Sequence, residues 1–155
     1  MNEQFMREAI RLSVAMMRRG KGGPFGAVVV CGDRVVGHGW NAVTSRNDPT
    51  AHAEVMAIRQ ACRNLNRFHL EDCEIYTSCE PCPMCLAAIY WARLRKGYYA
   101  NTRKDAARIG FNDALIYQEV ARPKSKRKLR MAPLLRDEAL KAFAEWESKA
   151  DKLRY

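Results

Sequence analysis

The chain has 155 residues, a length that fits one hydrophobic core, so a single domain over 1–155 is expected. An apolar share of 48% beside 28% charged residues, without a biased tract, excludes a disordered or fibrous chain. The longest apolar run, Met84 to Ala92, falls well short of the ~20 residues of a membrane span, and the acidic N-terminus leads into no long apolar region. Neither a bilayer span nor a secretory signal is expected, and the cytoplasm is the expected location. Six cysteines in such a chain argue for thiols or metal ligands rather than a disulfide framework. The net charge of +10 would suit a polyanionic partner, but six of the positive charges are Arg122, Lys124, Lys126, Arg127, Lys128 and Arg130. Such a run is more often a solvated loop than a nucleic-acid footprint, so nucleic acid is not the expected partner.

Phe5, Ala9, Leu12 and Met16 recur at helical spacing and Gly20 supplies a stop, which predicts an amphipathic helix over 3–19. After Gly22-Gly23-Pro24, the stretches Phe25–Cys31 and Arg34–Trp40 flank Gly32-Asp33, a two-residue hairpin signal, and read as an antiparallel pair. A polar loop from Thr44 to Thr50 leads into a second helix, His52–Cys62, with Val55, Ile58 and Cys62 on one face. Cys73–Ser78 reads as a strand, Pro83–Ala92 as a helix and Lys96–Ala100 as a strand, which implies a right-handed parallel crossover. Leu135, Ala139, Ala142, Trp146, Ala150 and Leu153 form one stripe and predict a closing helix over about 135–153.

The chemistry concentrates at two helix starts. His52 and Glu54 open one predicted helix; Cys82 and Cys85 open the next. Two thiolates three residues apart at a helix N-terminus can share one metal ion, and the partial positive charge there favours their deprotonation. Histidine with two thiolates suits zinc and leaves a fourth position for water, the pattern of a catalytic ion. Glu54 would then carry protons. Because side chains two apart do not face each other on a helix, His52 must sit at the cap or in the first turn. Alternatives stand beside this reading. Cys79 could complete a structural site with Cys82, Cys85 and His52, or Cys82 and Cys85 could be a redox pair. An iron–sulfur run would lack its fourth cysteine. Cys31, Cys62 and Cys73 read as small buried apolar residues.

His52-Ala53-Glu54 followed by Pro81-Cys-Pro-Met-Cys85 resembles the signature of zinc-dependent nucleobase deaminases. Further stretches resemble bacterial guanine deaminases: Gly22-Gly-Pro-Phe-Gly-Ala27, Asn47-Asp-Pro-Thr-Ala-His-Ala-Glu54, Thr77-Ser-Cys-Glu-Pro-Cys-Pro-Met-Cys85, Ala88-Ile-Tyr-Trp-Ala92 and Gly110-Phe-Asn-Asp113. The likeness is densest from Gly22 to Asp113, returns at Tyr155, and is poor across 122–130.

The resemblance implies a three-layer α/β/α cytidine deaminase-like fold around a mixed five-stranded sheet, assembled as a homodimer. It implies one zinc per chain on His52, Cys82 and Cys85, with Glu54 and Asp113 catalytic. It places Phe25, Asn41, Ala53, Trp91 and Tyr155 at the substrate, Phe25 stacking on a purine and Asn41 hydrogen-bonding it. For Phe25 core packing is an equal reading, and for Trp91 the better one. The implied reaction adds water to C2 of guanine, protonates N3 through Glu54 and releases ammonia to leave xanthine. It further implies a C-terminal segment, exchanged or not between copies, with Tyr155 closing the site. Three competitors remain: a tRNA adenosine deaminase, which would share the signature and explain the charge; a deaminase of a triazine, pterin, guanosine or cytosine; and a zinc-stabilised interaction module without catalysis.

Overall fold

The computed structural model describes residues 1–154. They fall into two compact units, Met1–Ala114 and Leu115 onward. In the first unit the elements run α1 (Glu3–Arg18), β1 (Gly26–Cys31), β2 (Arg34–Trp40), α2 (Val43–Arg46), α3 (Ala53–Leu65), β3 (Cys73–Cys79), α4 (Pro83–Trp91), β4 (Lys96–Asn101) and α5 (Arg103–Arg108). The sheet order is β2-β1-β3-β4, with β1 antiparallel to both neighbours and β3 parallel to β4 across α4. Gly32, at φ +60, turns the hairpin as its sequence predicts.

Alternation along the strands builds the layers. Val28, Val30 and Tyr76 project to one face and pack with Ala9 and Leu12 of α1. Ala27, Val29 and Ile75 project to the other and pack with Ala53, Ala57 and Ala61 of α3 and with Ala92 behind α4. A mixed sheet between helical layers is the α/β/α arrangement anticipated from the sequence.

The sheet has four strands among the described residues, not five. After β4 the chain turns directly into α5, because Thr102 and Asp105 form a reciprocal capping box that satisfies the first free N–H groups of a helix. The region 44–50 is not wholly loop, since α2 occupies Val43–Arg46 and is stopped by Asn47 in the left-handed conformation. Helix α3 runs to Leu65, beyond the expected Cys62, where Asn66 ends it at φ +50.

The position of α3 depends on a glycine. A Cβ added at Gly39 of β2 would lie 1.9 Å from the carbonyl oxygen of Ala53, so the first turn of α3 rests directly on the strand. Gly39→Ala is therefore expected to push that turn off the sheet and cost about 1–3 kcal/mol, as overpacked cores do. Denaturant unfolding of the zinc-loaded protein would measure it, and an unchanged midpoint would refute the close packing.

In the second unit, the remainder of α6 (Ala114–Ala121) leads to a 3-10 turn at Lys124–Lys126 and to α7 (Arg136–Ser148). The basic run is exposed, apart from a half-buried Arg127, as expected of a solvated segment. Several of its charges are used locally: Arg122 pairs with Glu119, and Arg127 donates to the carbonyl oxygens of Val120 and Arg122. Helix α7 stops at Ser148 rather than continuing to 153. Lys149 is extended, and the Lys152 ammonium donates to the carbonyl of Glu147, closing the last turn from outside. Ala150 and Leu153 thus leave the predicted stripe.

Candidate metal centre and active site

Two helix N-termini build the centre. His52 is the N-cap of α3 and Cys82 the N-cap of α4, with Pro83 at the first helical position. The carbonyls of both caps accept the first intrahelical bonds, from Met56 and Leu86 at 3.0 and 2.8 Å. Neither side chain caps its own helix, so each is free to turn toward the other. His52 Nδ1 lies 3.6 Å from Cys82 Sγ and 3.5 Å from Cys85 Sγ, and the three donor atoms lie within 4.8 Å of one another. A tetrahedral zinc ion with ordinary bond lengths sets an S···N edge of about 3.5 Å, so this donor set fits the ion.

The electrostatics agree. The Cys82 thiol is pulled down to about 4, first by a hydrogen bond from Cys85 and then by His52, while Cys85 is pushed up by its bond to Cys82 and by burial. The hydrogen bond between the sulfurs favours the thiolate at Cys82 and the thiol at Cys85, whose proton a thiophilic cation would displace. His52 is raised, mainly through its hydrogen bond to Cys82.

Cys79 does not join them. Its Sγ lies 3.6 Å from the carbonyl oxygen of Thr102, and burial raises its thiol to about 11. Among the described residues three ligands rather than four converge, which is the pattern with room for water. Glu54, in the first turn of α3, is buried beside them; burial pushes its carboxyl up, and a hydrogen bond with Cys85 works against that shift.

Backbone bonds bring the other candidates to the same end of the sheet. Asn41 N–H donates to Phe25 O at 3.0 Å, and Ala42 N–H donates to Ala51 O, one residue before His52. Asn41 is buried, and its Oδ1 accepts from the N–H of Gly23 at 3.1 Å, which fixes the amide and leaves Nδ2 as its donor. Ala53 is buried against Gly39. Phe25 is half-buried, packs against the core and meets Phe111 edge to face, with centroids 4.9 Å apart. Asp113 is half-buried and raised by burial, with Cys82 and Glu80 near enough to add to the shift.

Two expectations need correction or restriction. Trp91, placed at the substrate by the resemblance and in the core by the alternative reading, ends α4 at 71% exposure, which removes the core reading. Tyr155 lies outside the described residues. Phe111 was given no role from sequence, although the Gly110-Phe-Asn-Asp113 stretch that contains it was noted; an aromatic residue inside a glycine-led loop was the available signal.

Comparison with known proteins narrows the chemistry. Residues 1–101 match the family model described as the cytidine and deoxycytidylate deaminase zinc-binding region. The guanine deaminase of Bacillus subtilis (strain 168) is 47% identical over 154 residues, covering 99% of both chains. An X-ray structure of guanine deaminase from Bacillus subtilis superposes with a TM-score of 0.96 at 47% identity, covering 100% of this chain and 99% of that one. The tRNA-specific adenosine deaminase of Aquifex aeolicus (strain VF5) is 40% identical, but over only 61% of this chain and 62% of that protein. A likeness that runs through the whole chain, including the residues beyond the zinc-binding region, outweighs one confined to part of it. The chain belongs to the cytidine and deoxycytidylate deaminase family of zinc-binding proteins, and within it to the guanine deaminases.

Proposed function

We propose that the chain hydrolyses guanine to xanthine and ammonia, with zinc held by His52, Cys82 and Cys85. The observation that carries this reading is a buried carboxyl, Glu54, beside a three-ligand group in a chain like guanine deaminases from end to end. When bound, zinc lowers the pKa of a water molecule toward neutrality. Glu54 takes a proton from the water as its oxygen adds to C2 and delivers it to ring N3; it then takes the remaining hydroxyl proton and passes it to the amino nitrogen, so that C2=O forms as the C2–N bond breaks and ammonia leaves. Asn41 Nδ2 donates to an acceptor on the purine edge, held in orientation by the Gly23 N–H on its Oδ1. Phe25 offers an apolar surface to the ring, steadied by Phe111. Asp113 acts near the departing amino group.

Ammonia release from guanine, guanosine, ammeline, cytosine and adenine tests the assignment. Guanine is expected to dominate kcat/KM; comparable turnover of cytosine, or efficient deamination of adenosine in tRNA, would overturn it.

A homodimer is the assembly that the second unit favours. None of its described residues is buried, and Phe143 and Trp146 on α7 are 74% and 46% exposed. We infer that these side chains are covered in a two-chain assembly and that the C-terminal segment closes the site. Light scattering should give twice the chain mass. Deleting residues 152–155 is expected to preserve zinc and fold but sharply reduce guanine turnover, and full activity would refute closure. Mixing the truncated chain with Glu54→Ala chains should recover activity if closure is between copies, because each mixed dimer then holds one intact site.

A further inference from the structure

Strands β1 and β3 carry a second cluster at the end of the sheet away from the helix N-termini of the metal centre. Cys31 and Cys73 stand directly opposite each other in the antiparallel register. Their sulfurs and a carboxylate oxygen of Asp72 lie within 4.8 Å of one another. The Cys31 thiol donates to Asp72 Oδ2 at 3.1 Å. Arg67, which follows the end of α3, pairs with Asp72 and places Nη2 at 3.5 Å from Cys73 Sγ and 3.9 Å from Cys31 Sγ. Its Nε is buried without a hydrogen-bond partner and is a spare donor on the same guanidinium. Cys31 is half-buried, whereas Cys73 is fully buried.

A guanidinium against two sulfurs disfavours a bound cation and lowers the cost of charge developing on sulfur, while burial pushes the Cys73 thiol up to about 12. Directly opposed residues on neighbouring strands lie at a Cα separation that a disulfide accepts, so closure needs side-chain rotation rather than movement of the sheet. We propose that Cys31 and Cys73 are an oxidisable dithiol, a modification site at which a peroxide closes a disulfide between β1 and β3.

Cys31 reacts first, because it is the sulfur that solvent reaches. Its sulfur attacks one oxygen of hydrogen peroxide, the O–O bond breaks, and the thiol proton leaves with the released oxygen as water. Cys31 is then a sulfenic acid. The Cys73 sulfur attacks the Cys31 sulfur, the S–S bond forms as the S–O bond breaks, and the Cys73 proton leaves with the hydroxyl as a second water. The two thiols lose two electrons and peroxide gains them. Arg67 stabilises negative charge on either sulfur as it develops, while Asp72 orients the Cys31 thiol and accepts its hydrogen bond.

The test uses the full zinc-loaded chain, treated with hydrogen peroxide, alkylated and digested with trypsin. The expected product is a cross-link between peptides 22–34 and 68–93, lighter than their sum by two hydrogen atoms, with fragmentation placing the bond at Cys73. The link should be lost in Cys31→Ser. In Cys73→Ala, Cys31 should instead be trapped by dimedone as the sulfenic acid, a readout that does not require the link to form. Three outcomes would overturn the proposal: complete alkylation of Cys31 and Cys73 after peroxide treatment; a link from Cys31 to Cys79, Cys82 or Cys85; or a second zinc per chain that Cys31→Ser removes.

Discussion

Cys85→Ser is expected to strip the chain of zinc and abolish guanine deamination together. The Cys85 sulfur is fully buried and lies 3.5 Å from His52 Nδ1, one of the three donors that converge. Serine offers a shorter, harder oxygen whose proton is not lost near neutral pH, and two ligands rather than three would face the ion. Because metal binding stabilises only the folded chain, the variant should also unfold at a lower temperature than the zinc-loaded parent. Cys79→Ser is the control. Its sulfur is turned toward the Thr102 carbonyl, so the variant should retain about one zinc per chain. Elemental analysis of both proteins decides the point. Zinc retained by Cys85→Ser, or lost from Cys79→Ser, would replace the open catalytic site with a closed structural one.

The centre was legible in sequence because each of its parts is local. A cap position follows from where apolar periodicity begins, and two such starts bearing His52, Glu54, Cys82 and Cys85 left few ways to arrange the donors. The hairpin was legible for the same reason, since Gly32-Asp33 lies between two β-rich runs. Features set by competition between distant or weak local terms were harder to read. The fifth strand was implied by the resemblance alone: the residues themselves were read as four strands, the number in the sheet, and the capping box of Thr102-Arg-Lys-Asp105 went unread. For Trp91, core packing stood as the better alternative to the implied substrate contact on hydrophobicity alone. In α4, apolar residues surround the helix, so periodicity could not distinguish its inward face. The Cys31–Cys73 pair was invisible because register, unlike periodicity, joins residues 42 positions apart and cannot be read from either strand alone. Cys31 and Cys62 also proved only half-buried, while Cys73 alone of the three is fully buried.

Glu54→Gln separates the proton carrier from the metal ligands. Glutamine keeps the shape of the side chain and can still hydrogen-bond, but it cannot exchange a proton near neutral pH. Since Glu54 is not one of the three converging donors, the variant should retain zinc and its fold. Guanine should still bind, because the substitution leaves Asn41 and Phe25, the proposed purine contacts, in place. What fails is proton delivery to N3 and then to the amino nitrogen, so kcat should fall at least ~100-fold while KM changes little. The burial of Glu54 makes the demand specific. A carboxyl removed from solvent cannot be replaced readily by bulk water as a shuttle, and restoring only its shape should not restore the rate. Steady-state kinetics beside zinc content distinguish the possibilities. Near-normal kcat would remove Glu54 from the chemistry, whereas lost zinc would show that the carboxylate supports the metal ligands instead.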